Sequence, residues 1–92
     1  MLRPMLLLFT QEGCPACNAA LPDFEKFKAR NPTAMALQFD ADGPYAAHFV
    51  GKRIRATPLY LLRNGDTGVA HEGRMTCDLL ERWIKAATGA IS

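Results

Sequence analysis

The apolar run from Met5 to Phe9 constrains the fold most, because it is short, continuous and leads directly into a polar loop. A run that is apolar at every position suits a strand that is covered on both faces. After the turn 11–13, a helix is predicted to begin at Cys14-Pro15, since proline suits a first helical turn, where its missing N–H would have no partner anyway. A buried strand followed at once by a helix predicts an α/β domain.

Four further elements follow in the pattern. Met35, Leu37 and Phe39 occupy alternate positions, which predicts a second strand, and Asp42 is the expected N-cap of a short helix after it. A third strand is predicted over 59–62. The turn residues 64–66 then predict a hairpin into a fourth strand near 69–71.

The last element is a helix. Apolar residues spaced i, i+3, i+4 and i+7 over 80–87 predict its buried stripe, and Gly89 is its expected end. The predicted order is therefore β-α-β-α-β-β-α. A β-α-β start favours a parallel strand pair and the hairpin requires an antiparallel one, so the expected fold is a mixed four-stranded sheet flanked by three helices.

Size and charge narrow the class of protein. The chain has 92 residues, which predicts one domain over 1–92, and a formal net charge of +2 gives no sign of nucleic-acid binding. The first apolar run is shorter than the ~7–15 residues of a secretory signal core or the ~20 of a membrane span. We therefore expect a cytoplasmic monomer without membrane contact. In that compartment a close cysteine pair indicates redox activity or metal binding rather than a structural disulfide.

The segment Cys14-Pro15-Ala16-Cys17 carries the strongest chemical signal. At a helix N-terminus, Cys14 faces unpaired backbone N–H groups and the positive end of the helix dipole, and both favour the thiolate, which is the nucleophile. Cys17 lies one turn further along, within reach of Cys14. The first cysteine would attack a target disulfide and the second would then release the reduced target. The motif by itself also fits half of a zinc site or two unrelated thiols, but its place between a strand and a helix favours the redox interpretation.

Thr57-Pro58 precedes the third strand. A proline at the start of a strand is tolerated for purely structural reasons. About 5–6% of X-Pro bonds in folded proteins are cis, and a cis bond here would shape a tight, exposed backbone edge. The residues alone do not decide between an ordinary proline at a strand start and a cis bond that shapes this edge.

Taken together, the order and spacing of these motifs resemble thioredoxin. The resemblance rests first on a strand before CxxC and on Pro22, eight residues after the first cysteine. It rests also on 54–58 before an apolar strand and on Gly73 ahead of the last helix. The patterns at 37–42 and 63–66 fit as well. It covers nearly the whole chain from Met5, but without the first strand and helix usual in thioredoxin. In that trimmed outline, and in its Cys-Pro-x-Cys motif, the chain is more similar to a glutaredoxin.

The resemblance implies a substrate-binding surface. Pro58 would be cis and opposite the Cys pair, and the backbone of Thr57 would pair with an extended substrate segment. Gly73 would keep the groove open at its far side, and Gly13 and Pro15 would border the cysteines.

The resemblance also implies the redox partners. No cofactor would be bound, because the Cys14–Cys17 disulfide is itself the redox group. Disulfide-containing proteins would be the substrates, and thioredoxin reductase or glutathione the external electron donor. Arg53 and Arg55 belong to a basic cluster that is either a solvated loop or an anion subsite. In glutaredoxin-like proteins that neighbourhood meets the carboxylates of glutathione.

Four positions depart from the thioredoxin pattern. Gly13 and Thr10 stand where thioredoxins usually carry aromatic residues, so the substrate surface differs. The family's buried Asp, which helps to manage the proton of the second cysteine, is matched by Leu8, and its Lys partner by Ala36. Proton transfer at Cys17 would then depend on water or another group.

The sequence therefore predicts an enzyme, a thiol–disulfide oxidoreductase that reduces protein disulfides with Cys14 as nucleophile and Cys17 as resolving thiol. The alternative within the same fold is a glutathione-dependent reductase. A third hypothesis, from another class, is a non-enzymatic interaction or zinc-binding module. Cys77 is expected to be a small packing residue, and no metal site is predicted.

Overall fold

The computed structural model of the protein describes residues 4–51, 54–65 and 67–91. Seven elements follow in the predicted order: β1 (Met5–Thr10), α1 (Pro15–Arg30), β2 (Met35–Asp40), α2 (Pro44–Val50), β3 (Leu59–Asn64), β4 (Thr67–Glu72) and α3 (Cys77–Ile91). Within these residues, no helix is long and apolar enough to cross a lipid bilayer.

The four strands form one mixed sheet in the order β2-β1-β3-β4. β1 pairs with β2 in parallel and with β3 antiparallel, and β4 completes the hairpin with β3. The carboxyl ends of β1 and β2 therefore lie at the same edge of the sheet as the start of β3 and the end of β4. The loops that carry Cys14, Thr57 and Gly73 all leave the sheet at that edge.

The central strand is covered on both faces, as the apolar run predicted. Leu6 and Leu8 belong to the core formed with α1 and α3, whereas Leu7 and Phe9 belong to the core formed with α2. All four side chains are at most 2% exposed. Complete burial of one such side chain stabilises the fold by about 1.5–3 kcal/mol, so β1 anchors both layers.

Helix α1 begins where its capping residues place it. Cys14 is the N-cap with extended backbone angles, and Pro15 occupies the first turn. The helix continues through Pro22 and stops at Asn31, whose N–H donates to the Phe27 carbonyl at 2.9 Å. Its buried side chains are Cys17, Ala20, Phe24 and Phe27. The buried face holds the helix against the sheet and fixes the position of its first turn.

The N-cap of α2 is Gly43 and not Asp42, so the predicted cap is wrong. The Asp42 N–H donates to Asp40 Oδ1 at 2.9 Å, in a local turn that keeps Asp42 outside the helix. Its carboxylate accepts a hydrogen bond from Gln11 Nε2 at 3.1 Å. Asp42 therefore connects the loop after β2 to the loop after β1.

Helix α3 runs past Gly89 to Ile91, so the predicted end at Gly89 is also wrong. Glycine costs about 1 kcal/mol relative to alanine inside a helix, but it ends a helix only where the backbone turns left-handed. Here the backbone remains helical.

Candidate redox site

Cys14 and Cys17 form a disulfide across the first turn of α1, with their Cα atoms 5.2 Å apart. The two sulfurs differ in exposure. Cys17 is 1% exposed, whereas Cys14 is only partly buried. An incoming thiol or disulfide therefore meets Cys14 first.

The Cys14 sulfur caps the helix. Its Sγ accepts a hydrogen bond from the Cys17 N–H at 3.1 Å, and its carbonyl accepts one from the Asn18 N–H at 3.1 Å. The first turn carries no acidic residue, so no carboxylate in it offsets the positive potential of the helix N-terminus. A thiolate at Cys14 Sγ would receive the same N–H group and the same dipole.

Thr57 lies against the same sulfur from the opposite side. Its Oγ1 donates to Cys14 Sγ at 3.4 Å, and its carbonyl oxygen lies 3.6 Å from that atom. The Thr57-Pro58 peptide is cis, as the resemblance implied, and Pro58 is buried. The structure thus brings Cys14, Cys17, Thr57 and Pro58 together, although the second pair lies about forty residues further along the chain.

Gly73 adjoins Pro58. Its N–H donates to the Pro58 carbonyl at 2.9 Å, and its φ of +98° is one that L side chains rarely adopt. Gly13, on the other side of the disulfide, has a φ of +78°. A Cβ atom added to either glycine would meet no atom within 4 Å, so both border open space. Pro15 is exposed at the start of α1. The role of these three residues in substrate binding stays a prediction.

The segment after Gly73 is tied down by polar contacts that the sequence did not indicate. Asp23 of α1 accepts the Cys77 N–H at its Oδ1 (3.2 Å) and pairs with Arg74 Nη2 at its Oδ2 (3.2 Å). The Met75 N–H donates to the Tyr60 hydroxyl at 3.4 Å. These contacts join the helix that carries the cysteines to the loop beside Pro58.

Asp23 and Tyr60 gave no usable signal in the sequence. Asp23 is one of several charged residues of α1, and its partner Cys77 is 54 positions away. In the sequence, Tyr60 is indistinguishable from any other apolar residue of a predicted strand. Burial raises the pKa of Tyr60 above its usual value, since the phenolate would lose its water. The phenol is therefore neutral where it accepts the Met75 N–H.

Arg55 precedes Thr57 by two residues in the chain. It is exposed and lines a cavity of about 480 Å³ together with Leu59 and Glu72. Glu72 brings a carboxylate to the same cavity, which weakens its attraction for an anion. Arg53, the other residue of the predicted anion subsite, lies outside the described residues.

The interior around the sheet has no buried charge in the described part of the chain. Leu8 is fully buried in the core that also contains Ala36, at the two positions where thioredoxins carry the Asp–Lys pair. Among the described residues, no carboxylate is therefore buried in this core to exchange a proton with Cys17.

Cys77 is 2% exposed and packs in the core of the α1 and α3 layer, which confirms its predicted packing role. Among the described residues, no group of three or more His, Cys, Asp or Glu side chains is placed to hold a metal ion.

The strand order, the three helices and a CxxC disulfide opening α1 define a thioredoxin-like fold. Solved structures agree. The chain is similar to the thioredoxin of Fasciola hepatica, with a TM-score of 0.74 and 20% identity over 90% of this chain and 80% of that one. It is similar to thioredoxin f2 of Chlamydomonas reinhardtii, with a TM-score of 0.78 and 15% identity over 95% and 81%.

A third similar structure is thioredoxin-2 of a malaria parasite, described as a component of its protein secretion machinery, with a TM-score of 0.79 and 18% identity over 92% of this chain and 84% of that one. No protein-family profile matches the sequence, and no curated protein matches it at a significant level. At these identities the likeness establishes the fold, and the support for thiol–disulfide chemistry comes from the cysteine pair itself.

Proposed function

We propose that this protein is a thiol–disulfide oxidoreductase that reduces disulfide bonds in other proteins. The observation that carries the proposal is the environment of Cys14 Sγ. It is a partly exposed sulfur at a helix N-terminus, bonded to the buried sulfur of Cys17, with hydrogen-bond donors at 3.1 Å and 3.4 Å. A sulfur so placed favours a thiolate when the pair is reduced, and its partial exposure lets that thiolate attack a target disulfide.

The reaction begins with the reduced pair. The Cys14 thiolate attacks one sulfur of a target disulfide, the target's S–S bond breaks, and its other sulfur leaves and takes a proton from water. A mixed disulfide now joins Cys14 to the target. The Cys17 thiol then loses its proton to water and attacks Cys14 Sγ. The target leaves as a second thiol, and two electrons have moved from the protein to the target.

Each neighbouring group has one task in these steps. The Cys17 N–H and the Thr57 hydroxyl stabilise negative charge on Cys14 Sγ before the first attack. The backbone of Thr57 pairs with an extended segment of the target, in the manner of an added strand. The glycines on either side, Gly13 and Gly73, leave room for that segment.

Reduction of insulin tests the proposal, with thioredoxin reductase and then glutathione as the electron donor. The wild-type protein and Cys77→Ser, a matched control that removes the cysteine outside the motif, are expected to turn over with thioredoxin reductase. Cys14→Ser is expected to be inactive. Cys17→Ser is expected to accumulate a mixed disulfide with insulin, visible as a reducible adduct by mass spectrometry.

Two results would contradict the proposal. One is equal activity in wild type and Cys14→Ser. The other is stoichiometric zinc in protein purified under reducing conditions and lost in Cys14→Ser, which would assign the cysteines to a zinc-binding module.

A glutathione-dependent reductase is the second candidate, and the exposed guanidinium of Arg55 near Thr57-Pro58 favours it. If the protein is a glutathione-dependent reductase, Cys17→Ser is expected to retain turnover with glutathione, because a single cysteine is sufficient when glutathione resolves the mixed disulfide. Arg55→Ala is expected to raise KM for glutathione without lowering kcat. Turnover with thioredoxin reductase alone would exclude this candidate.

A further inference from the structure

A second groove lies on the outer side of α3, and we refer to it as the α3 groove. It lies between β4 and α3 and has a volume of about 480 Å³. The residues that line it are His71, Arg74, Met75, Leu79, Arg82 and Trp83.

The floor of the α3 groove is apolar. Met75 is 4% exposed, and Trp83 is partly buried against the core. The His71 ring lies 6.0 Å from the Trp83 ring and closes the side next to β4. Leu79 is 50% exposed at the rim, although it is a leucine. The groove therefore offers apolar surface to one side chain of a bound partner.

The charges of α3 are divided between its two sides. Arg30 of α1 pairs with Asp78 at 3.2 Å and with Glu81 at 2.6 Å, and Asn31 donates to Glu81 at 2.9 Å. The two carboxylates of the helix are thus already engaged on the side facing α1. They add little negative charge to the α3 groove.

The groove side of α3 is cationic. Within the described part of the chain, Arg82 has no carboxylate partner, and Arg74 is paired with Asp23 only. Glu72, the nearest acid along β4, lines the cavity on the other face of the sheet, because neighbouring strand residues point to opposite faces. An apolar floor beside the guanidinium of Arg82 is complementary to an apolar side chain beside a carboxylate.

The groove adjoins the redox site along the chain, through three consecutive residues. Gly73 bonds to Pro58, and Arg74 and Met75, which follow it directly, already belong to the groove. A target segment that extends along Thr57-Pro58 and crosses Gly73 would reach the α3 groove next. This adjacency points to the disulfide-bearing target as the occupant of the groove.

Resting on the proposed function, we infer that the α3 groove binds an acidic segment of the target protein, with an apolar side chain against Leu79 and Trp83 and a carboxylate facing Arg82. The groove would then select acidic targets, while the chemistry at Cys14 would remain the same for all.

The test uses two disulfide-linked peptides that differ in one segment. Both share the same cystine and a leucine beside it, flanked by two aspartates in one peptide and by two lysines in the other. Since exposed ion pairs contribute modestly, we expect kcat/KM for the acidic peptide to be about fivefold higher, mainly through KM, and the difference to shrink as salt is added.

Three variants assign the effect to the groove. Arg82→Glu is expected to abolish or reverse the preference, and Leu79→Ser is expected to raise KM for both peptides. Arg63→Glu, on the α2 side of the sheet, is the matched charge control and is expected to change the preference little. Because Arg82 and Leu79 are exposed, these variants are expected to fold, which circular dichroism checks.

Insulin reduction separates this inference from the proposed function. No reduction of insulin by the wild-type protein would overturn the function itself. Reduction of insulin with equal kcat/KM for the two peptides would overturn the α3 groove alone. Equal loss of the preference in Arg82→Glu and Arg63→Glu would also overturn it, since net charge and not the groove would then be the cause.

Discussion

The hydroxyl group of Thr57 donates a hydrogen bond to Cys14 Sγ at 3.4 Å, joining two residues that are 43 positions apart in the chain. The Cys17 N–H donates to the same sulfur from the helix, at 3.1 Å. One donor is supplied by the first turn of α1 and the other by the loop before β3. The nucleophile is therefore supported from two separate elements, and each contribution can be removed by itself.

Thr57→Val removes the hydroxyl and keeps the shape of the side chain. A net hydrogen bond of about 1 kcal/mol corresponds to about fivefold less thiolate at neutral pH. We expect the pH profile for iodoacetamide alkylation of reduced Cys14 to move to higher pH. Thr57→Ser, which keeps the hydroxyl, is expected to behave as wild type, and an unchanged profile in Thr57→Val would show that this hydroxyl does not stabilise the thiolate.

Asp23→Ala removes the acceptor for the Cys77 N–H and the partner of Arg74. Loss of a capping carboxylate is expected to cost about 1–2 kcal/mol of unfolding free energy. Because the loop after Gly73 would also be less restrained, KM for a protein disulfide is expected to rise more than kcat falls. Urea denaturation and steady-state kinetics measure the two effects.

Glu25→Ala is the control on the same helix, since among the described residues the partner of Glu25 is Lys28, in an exposed ion pair. It is expected to change the unfolding free energy by less than about 0.5 kcal/mol. If Asp23→Ala proved as mild as this control, Asp23 would not restrain the loop.

Tyr60→Phe tests the buried phenol. In the folded protein its pKa is raised above the unfolded value of 10.0, chiefly by burial. The neutral phenol therefore contributes its full stability below about pH 10, and that contribution is lost as the pH rises through the folded pKa. At pH 7 the variant loses the acceptor for the Met75 N–H, at about 0.5–1.5 kcal/mol.

The pH dependence separates these two effects. Above about pH 10, wild type is expected to lose stability more steeply than Tyr60→Phe, so the two unfolding free energies converge. Urea denaturation at pH 7 and at alkaline pH measures this. Parallel losses in both proteins would indicate that Tyr60 does not control the alkaline limit.

Leu8→Asp introduces into the core the buried carboxylate of the thioredoxin pattern, without its basic partner. Because Leu8 is fully buried among apolar side chains, the unpaired charge is expected to cost about 3–5 kcal/mol at pH 7. Acidification should recover part of this loss, since protonation removes the charge. Leu8→Asn, which cannot ionise, should show no such recovery, and identical pH profiles for the two variants would contradict the explanation.

Several features of the molecule could be predicted from the sequence. The apolar run at Met5 and the helix start at Cys14-Pro15 both depend on neighbouring residues, so periodicity and capping preferences were sufficient to place them. The same holds for the hairpin before β4. The resemblance to thioredoxin added the cis bond at Pro58, which no local pattern could have distinguished from an ordinary strand start.

The tertiary structure decided which distant groups meet. Thr57 reaches Cys14 because the antiparallel pairing of β3 with β1 brings the start of one strand to the end of the other. Asp23 caps α3 because two helices pack side by side on one face of the sheet. Asp42 is a residue type that often caps helices, yet its carboxylate accepts a hydrogen bond from Gln11 of a neighbouring loop. Local patterns are set by interactions between residues close in sequence, whereas these contacts depend on strand register and helix packing, which only the folded chain determines.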